Sequence, residues 1–221
     1  MDTLEDLERY KYEAVWRCRD YRKHSPGEEL VHDFLRRFNP PKDSAIIDLG
    51  CGTGRAAFAF AVEGFDVIAI DHAENCLDPE PAANQYVRFV RSNLWDENLP
   101  STLDSDFIGP PTALIPDFYT SSRPAYGYCT DVMEHIPRLK VWPTLINLSR
   151  IPNLRGIFFN ISCMPDLFGE KILGEPLHLT VDTPGWWTDI LLEIFPYCET
   201  MFATEESIAI MACTEAPYGG R

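Results

Sequence analysis

Two groups of residues in this chain have the types and spacing to do chemistry. The first is Ile46-Ile47-Asp48-Leu49-Gly50-Cys51-Gly52-Thr53-Gly54-Arg55. An apolar run passes directly into glycines at every second position, which let the backbone turn tightly and approach a ligand. Asp48 sets a carboxylate just before that turn, and Asp71 ends the next apolar run. An acid in the position of Asp71 can bind the two hydroxyls of a ribose. The second group is Asp131, Glu134 and His135, with His178 farther along. Positions i, i+3 and i+4 share one helical face. Two carboxylates and an imidazole there predict a half-site for Mg, Mn or another divalent ion. The plainer reading stands beside it: Glu134 stabilises a helix start, His135 hydrogen-bonds into the sheet, and His178 works without metal as a general base or donor.

These residues need a scaffold, and the pattern around them predicts one. Residues 44–49, 66–70, 86–91, 125–129 and 156–162 read as strands. Residues 55–63, 139–149 and 183–195 read as helices, the first stopped by Gly64. Two segments, 199–204 and 207–213, flank Glu205-Glu206 and predict a closing antiparallel hairpin. Helices alternating with strands imply an α/β fold: a mostly parallel seven-stranded sheet with helices on both faces, with ligands at the carboxyl ends of its strands. Residues 4–21 predict one amphipathic helix rich in aromatics. Ser25-Pro26-Gly27-Glu28 predicts a capping box opening the next helix. Residues 1–40 would form a helical cover over the substrate side or a packing layer. Residues 74–83, with Pro79 and Pro81, allow only a short helix.

The segment 97–124 carries five prolines and no clear period. Loops of that length in a compact domain are usually functional or disordered, and its apolar members argue against disorder. It is expected to be an insertion over the site, mobile without substrate, or an ornament packed elsewhere. Residues 164–182 read as a loop. Trp186 and Trp187 could stack a planar acceptor, and one of them is expected to touch the pocket.

Composition bounds the possibilities. The 221 residues suit a single domain spanning 1–221. A net charge of −15 argues against an extended grip on nucleic acid. The one local basic cluster is Arg17, Arg19, Arg22, Lys23, Arg36 and Arg37. No apolar run approaches ~18 residues, so no membrane span is expected. The acidic start resembles no signal peptide. Seven dispersed cysteines without a C-x-x-C pair imply reduced thiols and a cytoplasmic location. Cys51 is given no catalytic role. Oligomeric state is not legible.

The glycine spacing decides between ligands. A pyrophosphate-binding loop reads G-x-G-x-x-G, whereas this one reads G-x-G-x-G with Asp48 two residues ahead. A carboxylate there would repel pyrophosphate, which disfavours a nicotinamide oxidoreductase. Residues 46–55, 67–71, 92–96 and 128–137 together resemble the class I S-adenosylmethionine-dependent methyltransferases, over roughly residues 44–215. S-adenosylmethionine carries a sulfonium and an ammonium and no phosphate. The resemblance implies cofactor contacts from Asp48, Gly50, Cys51, Gly52, Gly54, Asp71, His72, Asn93, Leu94 and Cys129. The family often has Asp at the place of Asn93, touching the adenine amino group. The Asp131/Glu134/His135/His178 set is similar to the metal site of the small-RNA 2′-O-methyltransferases and ubiquinone-pathway O-methyltransferases, which show Glu at the place of Asp131. It implies catalytic roles for Glu134, His135 and His178. The expected acceptor is a hydroxyl or amine of a small or nucleotide-like molecule. The rivals are a nucleic-acid methyltransferase and a non-catalytic binding subunit with a blocked acceptor pocket.

Overall fold

A computed structural model describes residues 3–105, 123–166 and 168–216. Its seven strands are β1 (Ala45–Leu49), β2 (Asp66–Asp71), β3 (Val87–Arg91), β4 (Ala125–Thr130), β5 (Leu154–Ser162), β6 (Tyr197–Ala203) and β7 (Ser207–Cys213). The helices are α1 (Leu4–Val15), α2 (Arg19–Lys23), α3 (Val31–Phe38), α4 (Arg55–Val62), α5 (Pro79–Ala83), α6 (Leu99–Ser105), α7 (Arg138–Ser149), α8 (Phe168–Leu173) and α9 (Pro184–Leu192). They surround one sheet of order β3-β2-β1-β4-β5-β7-β6. β1 to β5 are parallel, and β7 runs antiparallel to both β5 and β6. The order reverses beside β1, between β2 and β4. The exits of β1 and β4 therefore diverge, and a crevice opens at their carboxyl ends.

Strand periodicity splits the core in two. Ile47, Leu49, Ile157, Phe159, Ile208 and Ile210 face one layer, closed by α6, α7 and α9. Ile46, Phe158, Ala209 and Met211 face the other, under α1, α3 and α4. All of β1 is buried, as a central parallel strand covered on both faces must be.

Several expectations give way. The helix expected over 4–21 breaks between α1 and α2, where Cys18 is extended. The break turns Trp16 toward the glycine loop and lets Arg22 reach residues 75–78. The Arg22 guanidinium donates to the carbonyls of Trp16 (3.1 Å), Asn75 (3.0 Å), Cys76 (2.7 Å) and Leu77 (2.9 Å), and to the Asp78 carboxylate (2.7 Å). No capping box forms at Ser25. Gly27 takes φ +106 and leads into a 3₁₀ turn, Glu28–Leu30, while the Glu29 carboxylate accepts the Gly27 N–H. The loop expected over 164–182 contains α8, because Asp166 accepts the N–H groups of Phe168 (2.8 Å) and Gly169 (2.6 Å) and caps it. Of segment 97–124, residues 106–122 lie outside the described residues. The described part includes α6, whose Leu99 and Leu103 enter the core. No helix among the described residues is long and apolar enough to cross a membrane.

Candidate active site

The glycine turn follows β1 directly. Gly50, Gly52 and Gly54 all adopt left-handed φ (74°, 50° and 76°). At Gly50 a Cβ would lie 2.5 Å from a Val132 methyl, so the glycine lets this turn pack against the exit of β4. The N–H groups of Gly50 and Cys51 both donate to the Ile70 carbonyl at 2.8 Å, and the Gly52 N–H donates to Asp71 Oδ2 at 3.0 Å. Asp71 Oδ1 accepts the Ala73 N–H at 2.8 Å. One carboxylate thus clamps the glycine turn to the end of β2. Gly54 caps α4 and packs against Leu77 and Pro81.

Above this turn lies a cavity of about 220 Å³. Its floor is Gly50, Cys51, Gly52, Asp71, His72, Asn93 and Leu94; α1 and the segment after it supply Glu8, Tyr12, Trp16 and Tyr21 as a roof. Its far wall is Thr130, Asp131, His135 and His178. Four of its carboxyl groups are Glu8, Asp48, Asp71 and Asp131, and no lysine or arginine is among the described lining residues. Asp48 is 4% exposed and its Oδ2 has no hydrogen-bond partner among the described residues. Burial in these apolar surroundings pushes its carboxyl up to about 7. His72 donates from Nδ1 to the Asn93 side-chain oxygen at 3.1 Å, which fixes both at the floor.

The far wall holds a second cluster. Ligand atoms of Glu134, His135 and His178 lie within 4.8 Å of one another. Glu134 is fully buried. Its Oε1 accepts the Ser162 N–H at 3.0 Å, its backbone carbonyl accepts from Leu179 and Thr180, and its Oε2 has no partner among the described residues. Burial, and then the charge of Asp131, hold its carboxyl well above the usual range. His135 Nδ1 lies 2.6 Å from the Tyr12 hydroxyl and 3.1 Å from the Leu177 carbonyl. Burial pushes His135 down to about 3, so it is a neutral imidazole. His178 is half-buried and donates from Nδ1 to the Met164 carbonyl at 2.6 Å. That bond fixes the tautomer and leaves Nε2 with a free lone pair.

The expected i, i+3, i+4 face does not form. Asp131 takes φ +53, Met133–His135 is a single 3₁₀ turn, and Ile136 is extended ahead of Pro137. A residue preceding proline is driven out of the helical region. Asp131 is therefore outside the Glu134/His135/His178 cluster and faces the cavity, its carboxyl raised to about 6 by burial and then by Glu29. Two imidazoles and one carboxylate are a poor match for Mg, which prefers oxygen donors, and suit Mn or zinc better. Cys129 is fully buried in β4 and Glu134 lies behind His135, so neither lines the cavity. The tryptophan expectation also fails. Trp187 is fully buried in the core, Trp186 packs edge-on against it under Arg138, and neither lines the cavity. α9, capped by Thr183, lies on β6 and β7. Sequence reasoning missed Tyr12, Trp16 and Tyr21 as a roof, although their aromatic density on one amphipathic stretch was the signal.

The structure resembles solved methyltransferases of low sequence identity. The N-terminal domain of EvdMO1 with S-adenosylhomocysteine bound superposes with TM-score 0.60 at 13% identity, covering 97% of this chain and 98% of that one. An S-adenosylmethionine-dependent methyltransferase from Anabaena variabilis gives TM-score 0.58 at 16% identity, over 96% of each chain. Phosphoethanolamine N-methyltransferase 2 from Haemonchus contortus, in complex with phosphomonomethylethanolamine and S-adenosylhomocysteine, gives 0.59 at 17% identity, over 91% of this chain and 47% of that one. In sequence, the cypemycin N-terminal methyltransferase of Streptomyces sp is 34% identical over 82 residues, 36% of this chain. The match spans 33% of that relative's length. The family model for the methyltransferase domain matches residues 20–149, more than half of the chain, and the protein therefore belongs to that family.

Proposed function

We propose that the protein transfers a methyl group from S-adenosylmethionine to an amine of a small, uncharged or cationic acceptor. The observation that carries this reading is the charge of the cavity: Glu8, Asp48, Asp71 and Asp131 line it, with no lysine or arginine among the described lining residues. Such a wall attracts sulfonium and ammonium and repels phosphate or carboxylate acceptors. The bound cofactor supplies an electrophilic methyl on a good leaving group. The protein's task is then to orient the acceptor and take its proton.

In this reading His178 takes it. Its Nδ1–H is committed to the Met164 carbonyl, so its Nε2 can accept a proton from an ammonium and free the nitrogen lone pair for in-line attack. Asp48 offers a buried carboxyl whose ionised form pairs with a cation. Tyr12, Trp16 and Tyr21 close the roof and exclude water. One relative points the same way, since the cypemycin N-terminal methyltransferase is named for methylating an N-terminus. Four of the six residues in the basic cluster behind the nucleic-acid reading are paired with carboxylates. Arg22, Lys23, Arg36 and Arg37 pair with Asp78, Asp20, Asp33 and Glu199. The seven free cysteines support a reducing, cytoplasmic setting. The unpartnered Glu134 Oε2 beside His135 and His178 supports a second reading, a metal-assisted transfer in which these three residues hold a Mn or zinc ion.

The test is turnover with radiolabelled S-adenosylmethionine against matched acceptors: a peptide with a free N-terminal amine, its acetylated form, a phosphorylated amine and a catechol. Label on the free amine alone is expected. Label on the catechol or on the phosphorylated amine in preference would overturn the assignment.

A further inference from the structure

Cys51, Asp71 and Cys76 form a second donor cluster, separate from the histidines. Cys51 stands in the glycine turn, Asp71 ends β2, and Cys76 follows it by five residues. Their sulfur and oxygen ligand atoms lie within 4.8 Å of one another. All three residues are buried, at 7%, 8% and 0% exposure. The Cys51 thiol is turned toward the Gly52 carbonyl, at 3.9 Å. No catalytic task above uses either thiol.

We propose that Cys51, Cys76 and Asp71 bind a thiophilic divalent ion such as zinc, and that the bound ion excludes the cofactor. Tetrahedral zinc needs metal–sulfur distances of ~2.3 Å and metal–oxygen distances of ~2.0–2.2 Å, so its donors sit about 3.4–3.8 Å apart. The cluster reaches that spacing by closing about 1 Å. Its carboxylate is already oriented, because both Asp71 oxygens accept backbone N–H groups, from Gly52 and Ala73, and each keeps a lone pair. Binding converts two thiols to thiolates and releases two protons, leaving one net negative charge on the cluster. The Arg22 guanidinium, bonded to the Cys76 carbonyl at 2.7 Å, offsets that charge. Cys51 and Asp71 line the cavity, so the fourth coordination position opens into it, where a water would complete the shell. An ion there occupies the floor over which the cofactor lies. This exclusion rests on the cofactor reading given above, whereas the metal site itself does not.

The experiment therefore has two readouts. Cadmium, a spectroscopic stand-in for zinc, is titrated into the reduced full-length protein while the thiolate-to-cadmium charge-transfer absorption is followed. A single equivalent is expected to saturate the band. Cys76→Ser and Cys51→Ser should lose it, and Cys163→Ser and His178→Ala should keep it. Circular dichroism on each variant separates loss of the site from loss of fold, and Cys76→Ala serves if the serine variant unfolds. Absence of the band in the folded protein, or its survival in folded Cys76→Ser, overturns the site. In the second readout, calorimetry measures S-adenosylhomocysteine binding with and without zinc. Zinc at about ten times its own dissociation constant should weaken that affinity about tenfold in the wild type and leave it unchanged in Cys76→Ser. A metal band without this weakening overturns the exclusion alone. No binding of S-adenosylhomocysteine to the metal-free protein refutes the cofactor reading and leaves the metal result standing.

Discussion

The hydroxyl of Tyr12 lies 2.6 Å from Nδ1 of His135, joining the roof of the cavity to its far wall across 123 residues of sequence. The Tyr12 ring also leans on His72, at 4.9 Å between centroids. One side chain of α1 thus touches the floor beside the glycine turn and the wall beside His178. Tyr12→Phe removes the bond and keeps the ring. The turnover rate should fall by about two- to tenfold, the worth of a hydrogen bond of ~0.5–1.5 kcal/mol. S-adenosylhomocysteine affinity should barely change, because the ring contact survives. An unaltered rate would show that Tyr12 only packs.

Gly52 is the most exacting position of the turn. Its φ is +50°, and a Cβ would lie 2.9 Å from the Trp16 ring. Gly52→Ala should cost about 1–2 kcal/mol of stability from the left-handed backbone alone, with a further steric penalty. In a Trp16→Ala background the steric part should vanish and the backbone part remain. Urea melts of the four proteins measure both. Additive losses would place Trp16 away from Gly52 in solution.

Asp48 predicts a pH dependence whose sign is defined. Its folded value of about 7 lies above its ordinary value of 3.8, so between these the native state binds more protons than the unfolded chain. Its contribution to stability is complete at acid pH and is lost as pH rises toward 7. Cofactor binding runs the other way, since a cation pairs with the ionised form. S-adenosylmethionine should bind more tightly as pH rises through 7. S-adenosylhomocysteine, which lacks the sulfonium charge, should gain less. Asp48→Asn should flatten both trends. Calorimetry one unit below and above that pH decides, and parallel gains for the two ligands would dismiss the sulfonium pairing.

His178→Gln separates the two catalytic readings. As general base its loss should lower the turnover rate by ~10²–10⁴-fold, with cofactor affinity intact and chelator without effect. In the metal-assisted reading, chelator stops the wild-type enzyme, Mn or zinc restores it, and His135→Ala is as damaging as His178→Gln. Full activity in His178→Gln would leave positioning alone as the source of rate.

The scaffold was legible because its signals are local. An apolar run into alternating glycines, an acid ending the next strand and turns at regular intervals each specify their own backbone, and chain connectivity then restricts the sheet order. What escaped was decided by contacts distant in sequence. Arg22 tethers α2 to residues 75–78, so the break after Val15 has no mark in residues 4–21 themselves. α8 escaped because it is only six residues long and its cap comes from Asp166. The Asp131/Glu134/His135 spacing was visible, but Pro137 two residues later denies it a helical face. The gathering of Glu134, His135 and His178 depends on the Leu179 and Thr180 N–H groups bonding to the Glu134 carbonyl, a tertiary event no local pattern announces.

Arg22 also concentrates the hold of the roof in one side chain. Its guanidinium holds the carbonyls of Trp16, Asn75, Cys76 and Leu77 and the carboxylate of Asp78 at once. The fixed planar fork lets these bonds form together. Replacing Arg22 would therefore release all five partners at once and loosen the roof over the cavity. A single side chain that does not line the cavity thus joins the segment supplying Trp16 and Tyr21 to the loop after β2.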